Sequence, residues 1–220
     1  AAALMVVRRD TGFPAELLEV GASCGLNLNL DRYAYDLDGT SAGAPASPVL
    51  IAPAWSGSAP PAEPLEIVSA RGVDLNPLDP RDEATRERLM SYVWPDQPRR
   101  AQRLEQALEL ARRAVPNVKR SEALAWLADR FAEPQTAGTC RVVIHSMVLQ
   151  YFCPAEKEAF GNLFDDAGRS ADVDRPLARI AFEWNAARGE VQLMLTLWPQ
   201  GSTRLLAVCH PYGDWIDWRG

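Results

Sequence analysis

Apolar and polar positions alternate along this chain with two different periods. Val191, Leu193, Leu195 and Leu197 interleave with Gln192, Met194, Thr196 and Trp198, the period of two expected of a strand with one buried face. Leu205 to Cys209 follows across Pro199-Gln200-Gly201-Ser202-Thr203, so the two segments predict an antiparallel hairpin. Upstream, shorter apolar runs read as strands: one ending Leu17-Leu18-Glu19-Val20, then Leu65 to Val73, Val115 to Lys119, Cys140 to Ile144, and Leu177 to Trp184. Between them the spacing changes to three and four residues. Ala101, Leu104, Leu108 and Ala111 share one helix face, and Ala155, Ala159, Phe160 and Phe164 share another. Asp79-Pro80 predicts a helix start, and Pro95 stops that helix at Trp94. Leu124 to Phe131 reads as a further short helix. Strands alternating with helices predict an α/β fold built on a parallel sheet. Residues 38–64 are dense in Gly, Ala, Ser and Pro and read as an insertion between the first two strands. No repeat is visible, and residues 1–220 are expected to form a single domain.

Candidate chemistry gathers where strands end. After Val20 the chain runs Gly21-Ala22-Ser23-Cys24-Gly25-Leu26-Asn27. Glycines permit a tight turn and let backbone N–H groups approach a ligand, while Glu19 can accept hydrogen bonds from a ribose or a cationic group. The dinucleotide pattern G-x-G-x-x-G fits poorly, with Ser23 and Leu26 at glycine positions, so an NAD-dependent oxidoreductase is a weak reading. No Lys-Ser/Thr pair follows Gly25, which excludes a phosphate loop. The spacing is closer to an acid-x-G-x-G-x-G loop with Ser23 at the middle glycine. A tight turn that binds nothing remains the competing reading. Asp74, closing Gly72-Val73-Asp74, stands where a ribose-binding acid belongs in such a sheet. His145 and Ser146 end the fourth strand. Imidazole titrates near neutrality, so His145 is a candidate general base, against the alternative of a histidine that orders its loop. Asp96 is a second candidate catalytic residue, against the alternative of a helix cap ahead of Pro98.

These features together resemble an uncharacterised bacterial domain-of-unknown-function family whose members look like class I S-adenosylmethionine-dependent methyltransferases. The resemblance rests on Glu19 to Leu28, Asp31-Arg32-Tyr33, Gly72 to Asp79, Val93 to Gln97, His145-Ser146 and His210 to Trp215. It implies a Rossmann-like sheet of order 3-2-1-4-5-7-6, with strand 7 antiparallel and helices on both faces. It implies S-adenosylmethionine as cofactor, held by Glu19, Gly21, Ala22, Ser23 and Gly25 at the methionine end and by Asp74 at the ribose. Glu122 and Ala123 would face the adenine, with His145 and Ser146 beside the sulfonium. The function implied is methyl transfer to an unidentified acceptor, expected to be a small molecule. The alternative is a non-catalytic, methyltransferase-like binding or interaction module with a degenerate cofactor pocket. In this reading residues 1–9 are the end of a helical N-terminal part.

Composition narrows the partners. A net charge of −6 argues against nonspecific binding to nucleic acid, and Arg99-Arg100 and Arg112-Arg113 read as solvated helix surface. Tyr33, Tyr35 and Trp55 read as hairpin anchors or an aromatic wall, and the His210–Trp215 stretch as a structural tail. Four cysteines without a C-x-x-C pair and only two histidines predict no metal site. No apolar run approaches 18 residues, so no membrane partner is expected and cytoplasmic localisation is the default. Oligomeric state stays open.

Overall fold

A computed structural model describes residues 1–220. The chain begins with α1 (Ala2–Thr11), β1 (Ala15–Val20), a 3-10 segment at Leu26–Arg32, β2 (Ala34–Leu37), β3 (Thr40–Gly43), β4 (Leu50–Ile51) and β5 (Ala54–Ser56). It continues with β6 (Ile67–Asp74), α2 (Glu83–Met90), α3 (Pro98–Arg113), β7 (Val118–Arg120), α4 (Ala123–Ala132), β8 (Cys140–Ser146) and α5 (Pro154–Arg169). It closes with β9 (Leu177–Trp184), β10 (Val191–Trp198), β11 (Ser202–Cys209) and β12 (Trp215–Trp218).

Two sheets form. The larger has nine strands in the order β5-β12-β11-β10-β9-β8-β1-β6-β7, and β3-β2-β4 make a separate sheet of three. Strands β7, β6, β1, β8 and β9 run parallel to their neighbours, whereas β10, β11 and β12 each pair antiparallel with the strand before them. This corrects the expected order 3-2-1-4-5-7-6. The strands after β9 lie side by side in chain order, with no interchange, and the insertion adds β5 beyond β12 and a second sheet. The cause is the connection between β9 and β10. Residues 185–190 fold into a turn in which Asn185 N–H donates to the Glu190 carbonyl at 2.8 Å. A parallel crossover needs a dozen or more residues, so β10 turns straight back onto β9, in register from Val191 against Trp184 to Trp198 against Leu177.

Alternation along the strands separates two cores. On one face Leu17, Val142, Ala178, Ile180 and Leu195 pack with α1, Ala107 of α3 and the tyrosines of the small sheet. On the other, Leu18, Val20, Val143 and Leu177 pack with Trp126 and Leu127 of α4 and Phe160 and Phe164 of α5. Helix α1 is buried nearly all round from Ala2 to Val7, as expected of a helix with so few polar positions. It ends at Gly12, whose positive φ of 74° lets its N–H reach the Arg8 carbonyl. Near the N-terminal ends of the central strands, Glu16 bridges Arg71 at 2.7 Å and the nearly buried Arg141 at 2.9 Å. Helix α2 begins later than Asp79 predicts. Asp82 is the cap, accepting from Ala84 N–H, while Asp79 is taken up by Arg81. No helix is long and apolar enough to cross a membrane.

Candidate functional site

The chain leaves β1 toward β6 and β7 on one side and returns to β8 on the other, so the loops after β1 and β8 diverge at their C-terminal ends. Such a divergence is where open α/β sheets hold ligands. Here the loop after β1 is tied to the protein itself. Gly21 and Ala22 N–H both donate to the Val73 carbonyl, at 2.9 and 3.0 Å, and Gly25 N–H donates to the Ala22 carbonyl at 2.6 Å. Asp74 accepts from Ser23 N–H through Oδ2 and from Asn76 N–H through Oδ1, each at 2.8 Å. Its two oxygens brace the loops rather than await a ribose.

The glycines are set by packing. A Cβ on Gly21 would stand 2.4 Å from Cγ2 of Val148, and one on Gly25 would stand 2.5 Å from Cβ of Pro116. The space a methionine end would use beside Gly21 is therefore filled by the loop after β8. With the strand order also different, the S-adenosylmethionine cofactor, the methyltransferase function and the methyltransferase-like binding module are all overturned as readings of this chain.

His145 lies on the α5 face of the sheet, buried edge-on against Phe160 with ring centroids 5.3 Å apart. Arg179 Nε donates to its Nε2 at 3.1 Å, which leaves Nδ1 to carry the proton and donate to Glu183 Oε1 at 2.8 Å. Burial holds the imidazole below its ordinary pKa of 6.5 despite the nearby Glu183. The same Glu183 oxygen accepts from Val148 and Leu149 N–H, at 2.9 and 3.3 Å. The His145–Glu183 pair thus orders the loop that covers Gly21, and neither ring nitrogen is free to take a proton from a substrate. Glu122 is exposed and Ala123 half-buried at the start of α4, on the same face as His145. Asp96 is exposed in the turn before α3, whose cap residue is Gln97.

The cavity that stands out lies on the opposite face. It is an open cleft of about 450 Å³ between Ile144, Ile180, Phe182 and Leu193 of the sheet, Leu4 of α1, Tyr35 and Leu37 of the small sheet, and Pro211–Gly213 after β11. Even-numbered residues of β8 face it, so Ser146 reaches it with its side chain and His145 borders it only through its main chain. Asn27 also lines it and donates from Nδ2 to Oε1 of Glu19, 2.7 Å behind. Glu19 is only 3% exposed, and its Oε2 has no hydrogen-bond partner. Burial, with a smaller contribution from Asp74, pushes its carboxyl up to about 8.

Arg100 is the one charged side chain lining this cavity. Its guanidinium stacks on Tyr212, 3.8 Å from the ring centroid, and its Nη1 donates to Gln97 at 2.9 Å. Reading Arg100 as solvated surface overlooks a signal, because residue 100 continues the apolar stripe of Leu104, Leu108 and Ala111 at helical spacing. Tyr212, read as part of a structural tail, is the other half of this contact. Nothing in the spacing links the two, because they meet only when α3 and the β11–β12 loop pack together.

No curated protein and no solved structure matches the chain. A family model does match residues 1–218, nearly the whole length, and the chain therefore belongs to the family described as "Uncharacterized protein conserved in bacteria (DUF2332)".

Proposed function

We propose that this protein binds a small, largely apolar molecule in the cavity beneath the three-stranded sheet. The observation that carries the reading is the cavity's make-up: about 450 Å³, walls of Ile144, Ile180, Phe182 and Leu193, and few polar groups, chiefly Asn27, Ser146 and Arg100. Ligand sites of about 300–1,000 Å³ combine apolar walls with a few convergent polar groups in this way. Binding rather than bond-breaking suits the groups present. Cys209 borders the cavity, but burial and the nearby Asp217 raise its thiol to about 11, far from a reactive thiolate at neutral pH. His145 is withdrawn to the other face.

The test is ligand-observed NMR of the folded protein with indole, octan-1-ol and 2-naphthol, repeated on Ser146→Phe. Ser146 is exposed on the cavity side, so phenylalanine there takes up part of the cavity without entering the core. Saturation transfer in the wild type that weakens in the variant supports the reading. No transfer, or transfer undiminished by the substitution, removes it.

A further inference from the structure

We infer that the molecule this cavity accepts is a monocarboxylate with an apolar body, its carboxylate seated on the Nε–Nη2 edge of Arg100. The inference rests on the cavity being the binding site and goes beyond that by naming the head group. A guanidinium has a flat face and three N–H edges. The face of Arg100 is covered by Tyr212 and Nη1 is engaged by Gln97, while no protein acceptor stands within hydrogen-bond reach of Nε or Nη2. That remaining edge is the two-pronged one, which matches the spacing of carboxylate oxygens. In some arginines of this chain a carboxylate fills it. Arg81 gives Nε and Nη2 to Asp79, and Arg113 gives the same pair to Glu109.

Arg100, like Arg32, Arg99, Arg103 and Arg112, has no carboxylate partner, and of these five only Arg100 lines the cavity. A half-buried cation beside apolar walls gains most from an anion that brings its own apolar surface. The guanidinium is the one side-chain cation in the lining and balances one negative charge, which favours a carboxylate over a doubly charged phosphate. Nothing in the cavity opposes such an anion at neutral pH. The acid behind Asn27 is Glu19, and burial keeps it protonated there.

The experiment is calorimetric titration at pH 7 with octanoate, octan-1-ol and octylamine, which share one chain length and differ in head group. The proteins are the wild type, Arg100→Gln and Arg100→Lys, each shown to be folded by circular dichroism. Octanoate should bind tightest to the wild type. Its affinity should fall by about tenfold or more in Arg100→Gln, the size expected for hydrogen bonds to a charged group, while that of octan-1-ol stays level. Arg100→Lys should fall between, since it keeps the charge without the fork. If octanoate and octan-1-ol bind alike, or both survive Arg100→Gln unchanged, the head-group inference is wrong and the cavity reading stands. If none of the three binds the wild type, the cavity reading falls and takes the inference with it.

Discussion

Replacing Glu19 by Gln should make this protein more stable, and increasingly so as the pH rises. Glu19 is a carboxylic acid at the end of the central strand β1, 3% exposed, with Oε1 bonded to Asn27 and Oε2 bonded to nothing. The folded protein therefore resists its ionisation and holds its pKa at about 8, against 4.5 for the free side chain. As pH rises past 4.5 the unfolded chain releases this proton first and the native chain keeps it. Fewer protons on the unfolded state mean that stability falls with pH until the native group also ionises. At about 1.4 kcal/mol per pH unit, the loss reaches roughly 3 kcal/mol by pH 7 and about 5 kcal/mol above pH 8. Gln cannot ionise, and its oxygen can still accept from Asn27. Urea unfolding followed by circular dichroism at pH 5, 7 and 8.5 measures the effect. Wild type and Glu19→Gln should differ little at pH 5, with the variant ahead by a margin that grows at each higher pH. A difference that does not change with pH would refute the reasoning, because it would mean that Glu19 ionises in the folded protein as it does in water.

Four further substitutions probe the packing around the β1 and β8 loops and the ion pairs below them. Gly21→Ala should cost roughly 1–3 kcal/mol, from overpacking against Val148 and from a φ of 72° that disfavours a side chain. Combining it with Val148→Ala should recover part of that loss, and strictly additive costs in a double-mutant cycle would show that the two do not touch. Glu183→Ala strips an acceptor from His145 and from two backbone N–H groups. It should destabilise by about 2–4 kcal/mol and speed amide exchange at Val148 and Leu149, whereas unchanged exchange would show that the loop holds without it. Because His145 is kept neutral by burial, the unfolded chain takes up a proton there first as pH falls below 6.5. This contribution is present above pH 6.5 and lost below it, and an NMR titration that finds the imidazole protonated above 6.5 would contradict the sign. Arg141→Met leaves Glu16 without its most buried partner. It should cost roughly 3–5 kcal/mol in urea unfolding, and a neutral result would mean that Arg71 compensates.

The sequence showed much of the local structure and little of how the pieces meet. Alternation delimits β10 at Val191–Trp198 and the apolar run delimits β9 at Leu177–Trp184, as in the structure, because a period of two records which side of each residue is buried. It does not record which strand lies alongside, so the expected order of the last strands was wrong. The short 185–190 connection contained the missing information, since its length permits only a hairpin. For the site, strand parity also places His145 with Val143 and away from Ile144, although a histidine at a strand end invites a catalytic reading. Asp74 and the glycines stand out in the sequence, but composition cannot tell whether a loop's N–H groups turn toward a ligand or toward Val73 and Asp74. Arg100 and Tyr212 meet across distant segments with no shared local pattern.

The pairing of β5 with β12 bears on how the molecule comes into being. Ser56 Oγ donates to Asp217 at 3.1 Å across 161 positions of chain, and Trp55 packs on Trp218 with ring centroids 5.4 Å apart. On a ribosome the insertion emerges long before the strand that holds its far end. Loop closure over so many residues comes late in folding. The parallel strands can pair while synthesis continues, and Ile51 is held against Tyr35 by the pairing of β2 with β4, but Ala54–Ser56 gain their strand partner, and Tyr212 and Ile216 join the cavity wall, only once β12 is made. The cavity is thus a product of the finished chain, and partly made molecules would carry its apolar walls open to water.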